Sequence, residues 1–330
     1  ETPNKREIID MNLRVSHRGP DYSSYKLINN CAFGHTRLSI LDLNDLANQP
    51  FEDENFIITY NGEIFNYIEL KEELIKYDYN FKTNSDTEVI IKLYHKYGLN
   101  AFDMMNGMWA LCIYDKRKEE VIVSRDRFGI KPIYYSQYNN KLYFFSEIKQ
   151  FINIKSVSYN KKIIFDYLFY GRVLDKNETL YEGIYNFPAS HCFIIKENKI
   201  ISKSRYYNLK NIPNKNSLKQ NIEELDYLIN DSIRLRLRSD VKLGSMLSGG
   251  VDSSILTSIA STINPKIEAF HFKSEKYDES KFARIISDKY NIKLNIVDEK
   301  IDLDEFNSLI KGFDYPFNSM SIYAQNQIFA

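Results

Sequence analysis

Cysteine is scarce in this sequence of 330 residues: Cys31, Cys112 and Cys192 are all there is. Their number is odd, their spacing wide, and no CxxC or Cys/His cluster points to zinc. Each lies in an apolar stretch, NNCAFGH, ALCIYD or SHCFII, and reads as a core thiol suited to a reducing compartment. Net charge is absent as well, with 44 Lys plus Arg against 44 Asp plus Glu. That balance removes any general electrostatic reason to expect nucleic acid or an anionic membrane as partner. No apolar run is long enough to span a bilayer and no signal-like start is visible, so a cytoplasmic location without a membrane partner is expected. Tyrosine is the one conspicuous abundance, at 25 residues, and it reads as composition bias.

The length is enough for two domains, each with its own core. In the first half, FIITYNGEIF reads as a strand, MWALCIYDKRKEEVIVSRD as two strands around a charged turn, and KPIYYSQYNNKLYFFSE as a hairpin turning at YNN. NYIELKEELIKY and TEVIIKLYHKYG carry apolar residues at helical spacing. The expected fold is an α+β sandwich of antiparallel sheets over residues 1–207. The polar segment LKNIPNKNSL, about 208–217, reads as a linker. From 218 to 330 helix and strand alternate, which predicts an α/β doubly wound parallel sheet. Both ends read as abrupt, and a longer product is expected.

SGGVDSS, 248–254, falls between a predicted strand and a predicted helix. Gly249 and Gly250 let backbone N–H groups approach phosphate oxygens, and Ser248, Ser253 and Ser254 add hydroxyls. No lysine follows the glycines. Asp252 would repel bare phosphate, so a bridging Mg²⁺ accounts for an acid here. A Ser/Asp-capped helix after a glycine turn is the plainer reading, and SGG alone would merit it. The whole string resembles the pyrophosphate-gripping loop of the N-type ATP pyrophosphatases, which cleave ATP between the α and β phosphates and adenylate an acceptor.

Five further motifs occur in order: SHRGPD (16–21), GHTRLSILD (34–42), YNGEIFN (60–66), NSDTEVI (84–90) and SRDRFGIKPIYY (124–135). Together with the loop they resemble the asparagine synthetase (glutamine-hydrolysing) family, a class II glutamine amidotransferase domain of N-terminal nucleophile type followed by an ATP pyrophosphatase domain. Read alone, Arg37 is a surface ion-pair residue, Asn61-Gly62 a type I′ turn, and Asp86 a helix cap. The resemblance implies other roles. Asn61 and Gly62 would form the oxyanion hole for glutamine hydrolysis. Arg37, a two-pronged donor, would hold the glutamine α-carboxylate. Asp86 would hold its α-amino group, with Glu63 beside the same amino acid. Leu247, Ser248, Gly249, Gly250, Asp252, Ser253 and Ser254 would line the ATP site, and Asp252 would meet the metal. His17, Arg18, Asp126 and Arg127 read as loop organisers.

The resemblance has gaps. The family's nucleophile is a cysteine opening the mature chain, its own amine serving as base. No such residue stands in this sequence, and Cys31, internal and within a predicted strand, cannot replace it. A leading segment lying before Glu1 is favoured over a glutaminase without its nucleophile, because Arg37, Asn61, Gly62 and Asp86 serve only glutamine handling. The family's second phosphate loop and catalytic lysine would lie beyond Ala330. The expected function is a ligase consuming glutamine and ATP with Mg²⁺: ammonia freed at the first site passes inside the protein and displaces AMP from an acyl adenylate. Aspartate is the expected acceptor, giving asparagine. The stretch DYPFNSMSIYAQNQIF (314–329) keeps open a relative that amidates another carboxylate such as a sugar uronate. A non-catalytic relative or a β-lactam-forming synthetase also stays open. Oligomeric state is not legible, and a homodimer is compatible.

Overall fold

Apolar residues alternate along the central strands of the N-terminal half, and both resulting faces find cover. The structure, a computed structural model, describes residues 3–274, 278–316 and 319–329. The chain divides into two compact units, Glu1–Lys210 and Asn211–Ala330.

In the first unit β1 (Tyr22–Ile28) and β2 (Cys31–Arg37) form an antiparallel pair. A six-stranded sheet contains β3 (Phe51–Glu52), β4 (Phe56–Ile64), β5 (Gly107–Asp115), β6 (Glu120–Arg125), β10 (His191–Lys196) and β11 (Lys199–Arg205). Its order is β11-β10-β6-β5-β4-β3, and each neighbouring pair is antiparallel. A third sheet orders β8 (Lys141–Phe145), β7 (Tyr134–Tyr138) and β9 (Ile184–Asn186). The β7–β8 turn uses Asn139 and Asn140, both at positive φ, as a YNN hairpin requires.

Period-two patterning explains the layers. Phe56, Ile58, Tyr60 and Ile64 of β4, with Trp109, Leu111 and Ile113 of β5, pack under α2 (Tyr67–Ile75) and α3 (Asp86–Tyr97). Ile57 turns the other way, against Phe33 of β2 and Tyr114. Ala110, Val123, Phe193 and Ile195 line that second face with Ile133 and Phe187. Burying each such large side chain contributes about 1.5–3 kcal/mol, so the sheet is held from both sides. This is the α+β sandwich of antiparallel sheets that the strand pattern predicts.

Two helices escape the sequence reading, α1 (Lys5–Leu13) and α5 (Lys161–Tyr170), and a single turn, α4 (Ala101–Met104), is the other addition. The side chains of Asn4 and Asn160 accept from Arg6 N and Ile163 N at the starts of α1 and α5. Those caps, more than apolar spacing, are their signal.

In the second unit β12 (Gly244–Met246), β13 (Glu268–Lys273) and β14 (Leu294–Asp298) are parallel. They alternate with α6 (Leu218–Arg236), α7 (Val251–Ile263), α8 (Ser280–Tyr290), α9 (Leu303–Gly312) and α10 (Ser321–Phe329). The α/β alternation is as predicted, though the strand expected over VKLGSMLS pairs through three residues only. Among the described residues no helix is long and apolar enough to cross a membrane.

Candidate functional site

Asn61 and Gly62 are not a turn. They lie inside β4, opposite Ala110 and Trp109 of β5. Gly62 is required there by close approach: a Cβ would come within 2.1 Å of the Met108 carbonyl oxygen and 2.8 Å of Trp109 Cα. Backbone groups of an antiparallel strand point alternately to its two neighbours. On the edge of β4 away from β5, strand β3 pairs only with Ile57 and Ile58. Beyond that, the Tyr60 N–H donates to Gln49 Oε1 at 2.6 Å and the Tyr60 carbonyl accepts from His35 Nε2 at 3.1 Å. The Ile64 N–H donates to Asp86 Oδ2 at 3.0 Å. The same alternation aims the Gly62 N–H outward between these two anchored positions. Asn61 Nδ2 is sealed from solvent and has no partner among the described residues. Asn61 Nδ2 and the Gly62 N–H are thus neutral donors on consecutive residues of β4, donors of the type that an oxyanion hole uses.

Arg37 ends β2 and is 6% exposed. Its Nη1 donates to Asn44 O and Asn48 Oδ1, and its Nη2 to Leu41 O and Asp42 O. The fork therefore folds the 38–48 loop around itself, and none of its four acceptors is a carboxylate. A buried positive charge solvated by carbonyls keeps its attraction for an anion. Asp42 Oδ2 in turn accepts from Asn84 N at 2.7 Å, joining this loop to the start of α3.

At that start Ser85 is the cap, its hydroxyl accepting from Thr87 N, and Asp86 is the first helical residue. Asp86 is 5% exposed. Burial raises its pKa, opposed by hydrogen bonds from Ile64 N and the Tyr60 hydroxyl. Its Oδ2 carries both of those bonds; Oδ1 takes a 3.4 Å contact from the Ser85 hydroxyl, and the Thr87 N–H also acts on the carboxylate. Oδ1 keeps acceptor capacity for an ammonium. Glu63 is within electrostatic reach of Tyr60 and Lys131. Arg37, β4 and the α3 N-terminus are thus linked through Asp42, Gln49 and Asp86.

The second candidate is the loop after β12. Leu247 is buried, its N–H donates to Phe270 O, and its carbonyl accepts from His271 Nδ1 at 2.7 Å. Gly249 has φ +92, and Gly250 is the N-cap of α7 without any side-chain cap bond. The Ser248 and Ser253 hydroxyls bond each other at 2.9 Å, Ser248 Oγ accepts from the Gly250 N–H at 3.4 Å, and the Ser253 hydroxyl lies 3.2 Å from the Gly250 carbonyl. Among the described residues no side-chain cap bond is made at the N-cap of this 13-residue helix, so the plainer capped-helix reading is not what the turn shows. Asp252 is exposed in that first turn.

Comparison with known proteins gives the family. The profile of the glutamine amidotransferase domain matches residues 1–207, and that of asparagine synthase matches residues 224–328. The chain belongs to the glutamine-hydrolysing asparagine synthetase family. Asparagine synthetase [glutamine-hydrolyzing] 1 of Bacillus subtilis is 32% identical, over 96% of this chain and 51% of its own length. Asparagine synthetase [glutamine-hydrolyzing] 2 of the same organism is 35% identical, over 82% of this chain and 36% of its own. Amidase chry2 of Gibberella zeae is 32% identical, over 75% of this chain and 37% of its own. The chain spans about half the length, or less, of these relatives.

In this member of the asparagine synthetase family burial favours the protonated form of the internal thiols. Burial pushes Cys31 up to about 11 and Cys112 and Cys192 to about 12. None is a thiolate at neutral pH. The motif residues set aside as loop organisers do organise loops. Asp126 accepts from Phe128, Ile130, Lys131 and Trp109 N–H groups, while His17 and Arg18 meet Glu147 at 3.2 and 2.8 Å. A cavity of about 440 Å³ lies elsewhere, between α1, β2 and β8, and no predicted site residue lines it. His35 and Gln49 are the neighbours of the site that sequence reasoning passes over, although they stand in GHTR and NQP.

Proposed function

We propose that this chain carries the glutamine-hydrolysing and nucleotide-handling parts of an ATP-dependent amidotransferase. The observation that supports the proposal is Asn61 Nδ2, sealed and without a partner among the described residues, next to Gly62, whose N–H the strand alternation turns outward between Tyr60, held by Gln49, and Ile64, held by Asp86. The α-carboxylate of glutamine would meet the field of Arg37, and its α-amino group Asp86 Oδ1 and Glu63. Its amide oxygen would lie between the two donors. As a thiolate adds to that amide, charge grows on the oxygen where the donors already point, and ammonia leaves. Burial raises the pKa of Cys31, Cys112 and Cys192, which disfavours each of them as the source of that thiolate.

At the loop, the first-turn amides of α7 with Ser248, Ser253 and Ser254 would hold the pyrophosphate leaving ATP, and Leu247 would line the nucleotide site. Carboxylate and ATP give acyl adenylate and pyrophosphate; ammonia then gives amide and AMP. Among the described residues no three His, Cys, Asp or Glu side chains gather as a metal cage. Mg²⁺ commonly takes one or two carboxylates plus phosphate oxygens, and Asp252 fits as that one carboxylate. The metal would neutralise phosphate charge.

Aspartate is the acceptor we favour, on the names of two relatives, and the amidase-named relative favours keeping a second carboxylate in view. Incubation of the full-length protein with amide-¹⁵N glutamine, ATP, Mg²⁺ and aspartate should give ¹⁵N-asparagine and equimolar AMP. AMP formed only on adding a uronic acid sugar would transfer the reading to that acceptor. Failure to bind either glutamine or ATP would reject it.

A further inference from the structure

We propose that His35 and Gln49 are positioning residues for the two oxyanion donors, acting as a substitute strand along the open edge of β4. This rests on the reading of Asn61 and Gly62 given above. A strand edge without a partner twists and frays, and its outward N–H groups are then poorly aimed. β3 covers only Ile57 and Ile58, so the edge is open where the donors stand. The next outward-facing residue is Tyr60, and two side chains complete it as a neighbouring strand would. Gln49 Oε1 accepts its N–H, and His35 Nε2–H donates to its carbonyl. Asp86 holds the Ile64 N–H beyond. Gly62 is thus spanned by anchors two residues away on each side, about 7 Å along the strand.

The anchors are themselves fixed. Gln49 is 7% exposed, its Nε2 reaches Thr87 Oγ1 at 3.4 Å, and its carbonyl accepts from Ser24 Oγ at 2.6 Å. His35 sits in β2 opposite Ser24 of β1. Because a carbonyl can only accept, His35 carries its proton on Nε2, and Nδ1 is a bare acceptor, sealed and without a partner among the described residues. Both anchors reach β4 from residues near Arg37, so the donors for the amide oxygen and the loop for the α-carboxylate share one support.

The test compares four variants of the full chain by glutamine affinity and by the ¹⁵N shift and hydrogen exchange of the Gly62 amide. Gln49→Met and His35→Leu remove one anchor each. Gln49→Glu keeps the acceptor, and His35→Gln keeps an N–H donor at similar reach. The first two should shift the Gly62 amide, speed its exchange and weaken glutamine by about tenfold, as loss of one aligned hydrogen bond implies. The conservative pair should stay within about threefold of wild type, a rescue that loss of packing alone would not produce. If Gln49→Met or His35→Leu unfolds, the conservative variants decide. A folded His35→Gln that loses Gly62 protection and tenfold in affinity would overturn the proposal, as would unchanged Gly62 amides in folded Gln49→Met. Wild-type chain that binds no glutamine overturns the reading of the site and this proposal with it; wild-type and variant chains that bind equally overturn this proposal alone.

Discussion

The Tyr60 hydroxyl donates to Asp86 Oδ2 at 2.9 Å, and both residues are buried, at 4% and 5% exposure. The bond ties the second strand residue before Gly62 to the first residue of α3. Tyr60 therefore enters the site twice, by its backbone through Gln49 and His35 and by its side chain through Asp86. Burial raises the pKa of both groups, so the pair is a neutral phenol donating to a carboxylate short of solvent.

Tyr60→Phe is expected to destabilise the first unit by about 1–3 kcal/mol at pH 7, the range for a hydrogen bond to a buried charged group. Asp86's folded pKa lies above its ordinary value, so its ionised form costs stability at neutral pH. That cost is relieved as pH falls through the folded value. Losing the phenol deepens the cost, and the gap between wild type and variant should narrow on acidification. Urea unfolding at pH 7 and pH 5 measures it; a gap that widens at pH 5 would contradict the assignment.

His35 should report with the opposite sign. Burial lowers it from 6.5 to about 4. The unfolded state therefore takes up a proton that the folded state refuses, and stability is lost as pH falls from about 6.5 toward 4. Full development of that shift corresponds to about 3 kcal/mol. His35→Gln should flatten this segment of the stability profile while retaining the donor to Tyr60. A variant with the same acid limb as wild type would place the proton uptake elsewhere.

The three thiols give a chemical check. With Cys31 raised from 9.0 to about 11, its thiolate fraction at pH 7.5 is on the order of 100-fold below that of an ordinary cysteine. Cys112 and Cys192 are lower still. Iodoacetamide should label all three promptly in urea and none promptly in the native chain. A glutamine-site electrophile such as a diazo ketone analogue should leave all three unmodified. A peptide map with the analogue on Cys31 would show that the thiol is reactive after all.

What the sequence discloses here follows from where each decision is made. β4 and β5 are legible as apolar, strand-rich runs buried on both faces, and β13 as a short alternating one, because these patterns are local. Asn61-Gly62 misleads for the same reason. Locally it is a hairpin pair, and only the nearness of β5, with Met108 O where a Cβ would stand, makes it strand interior. Arg37 read alone is a surface ion-pair residue, and the structure corrects this: it is buried, and its enclosure by Leu41, Asp42, Asn44 and Asn48 depends on the path of a loop. His35 and Gln49 are opaque in sequence because their role exists only once β2 and the 38–49 loop arrive beside the unpaired edge of β4. The mutual bond of Ser248 and Ser253 is likewise a product of the folded turn.

The adjacent glycines of the loop separate fold from function. Gly249 sits at φ +92, and an added Cβ would lie 3.0 Å from the Glu279 carbonyl and 3.1 Å from Phe282 Cβ. Gly249→Ala should cost about 1–3 kcal/mol in the second unit, as strained backbone positions do. Gly250 has φ −74, and the nearest atom to an added Cβ is Ser248 Oγ at 3.5 Å, an ordinary contact. Gly250→Ala should therefore unfold within about 0.5 kcal/mol of wild type. If the loop clasps pyrophosphate, that methyl group still stands where phosphate oxygens approach the α7 amides, and ATP affinity should fall by about tenfold or more despite the intact fold. Calorimetric titration with MgATP alongside urea unfolding reads both quantities. A Gly250→Ala chain with unchanged stability and unchanged ATP affinity would mean that the turn holds no phosphate, whatever its likeness to loops that do.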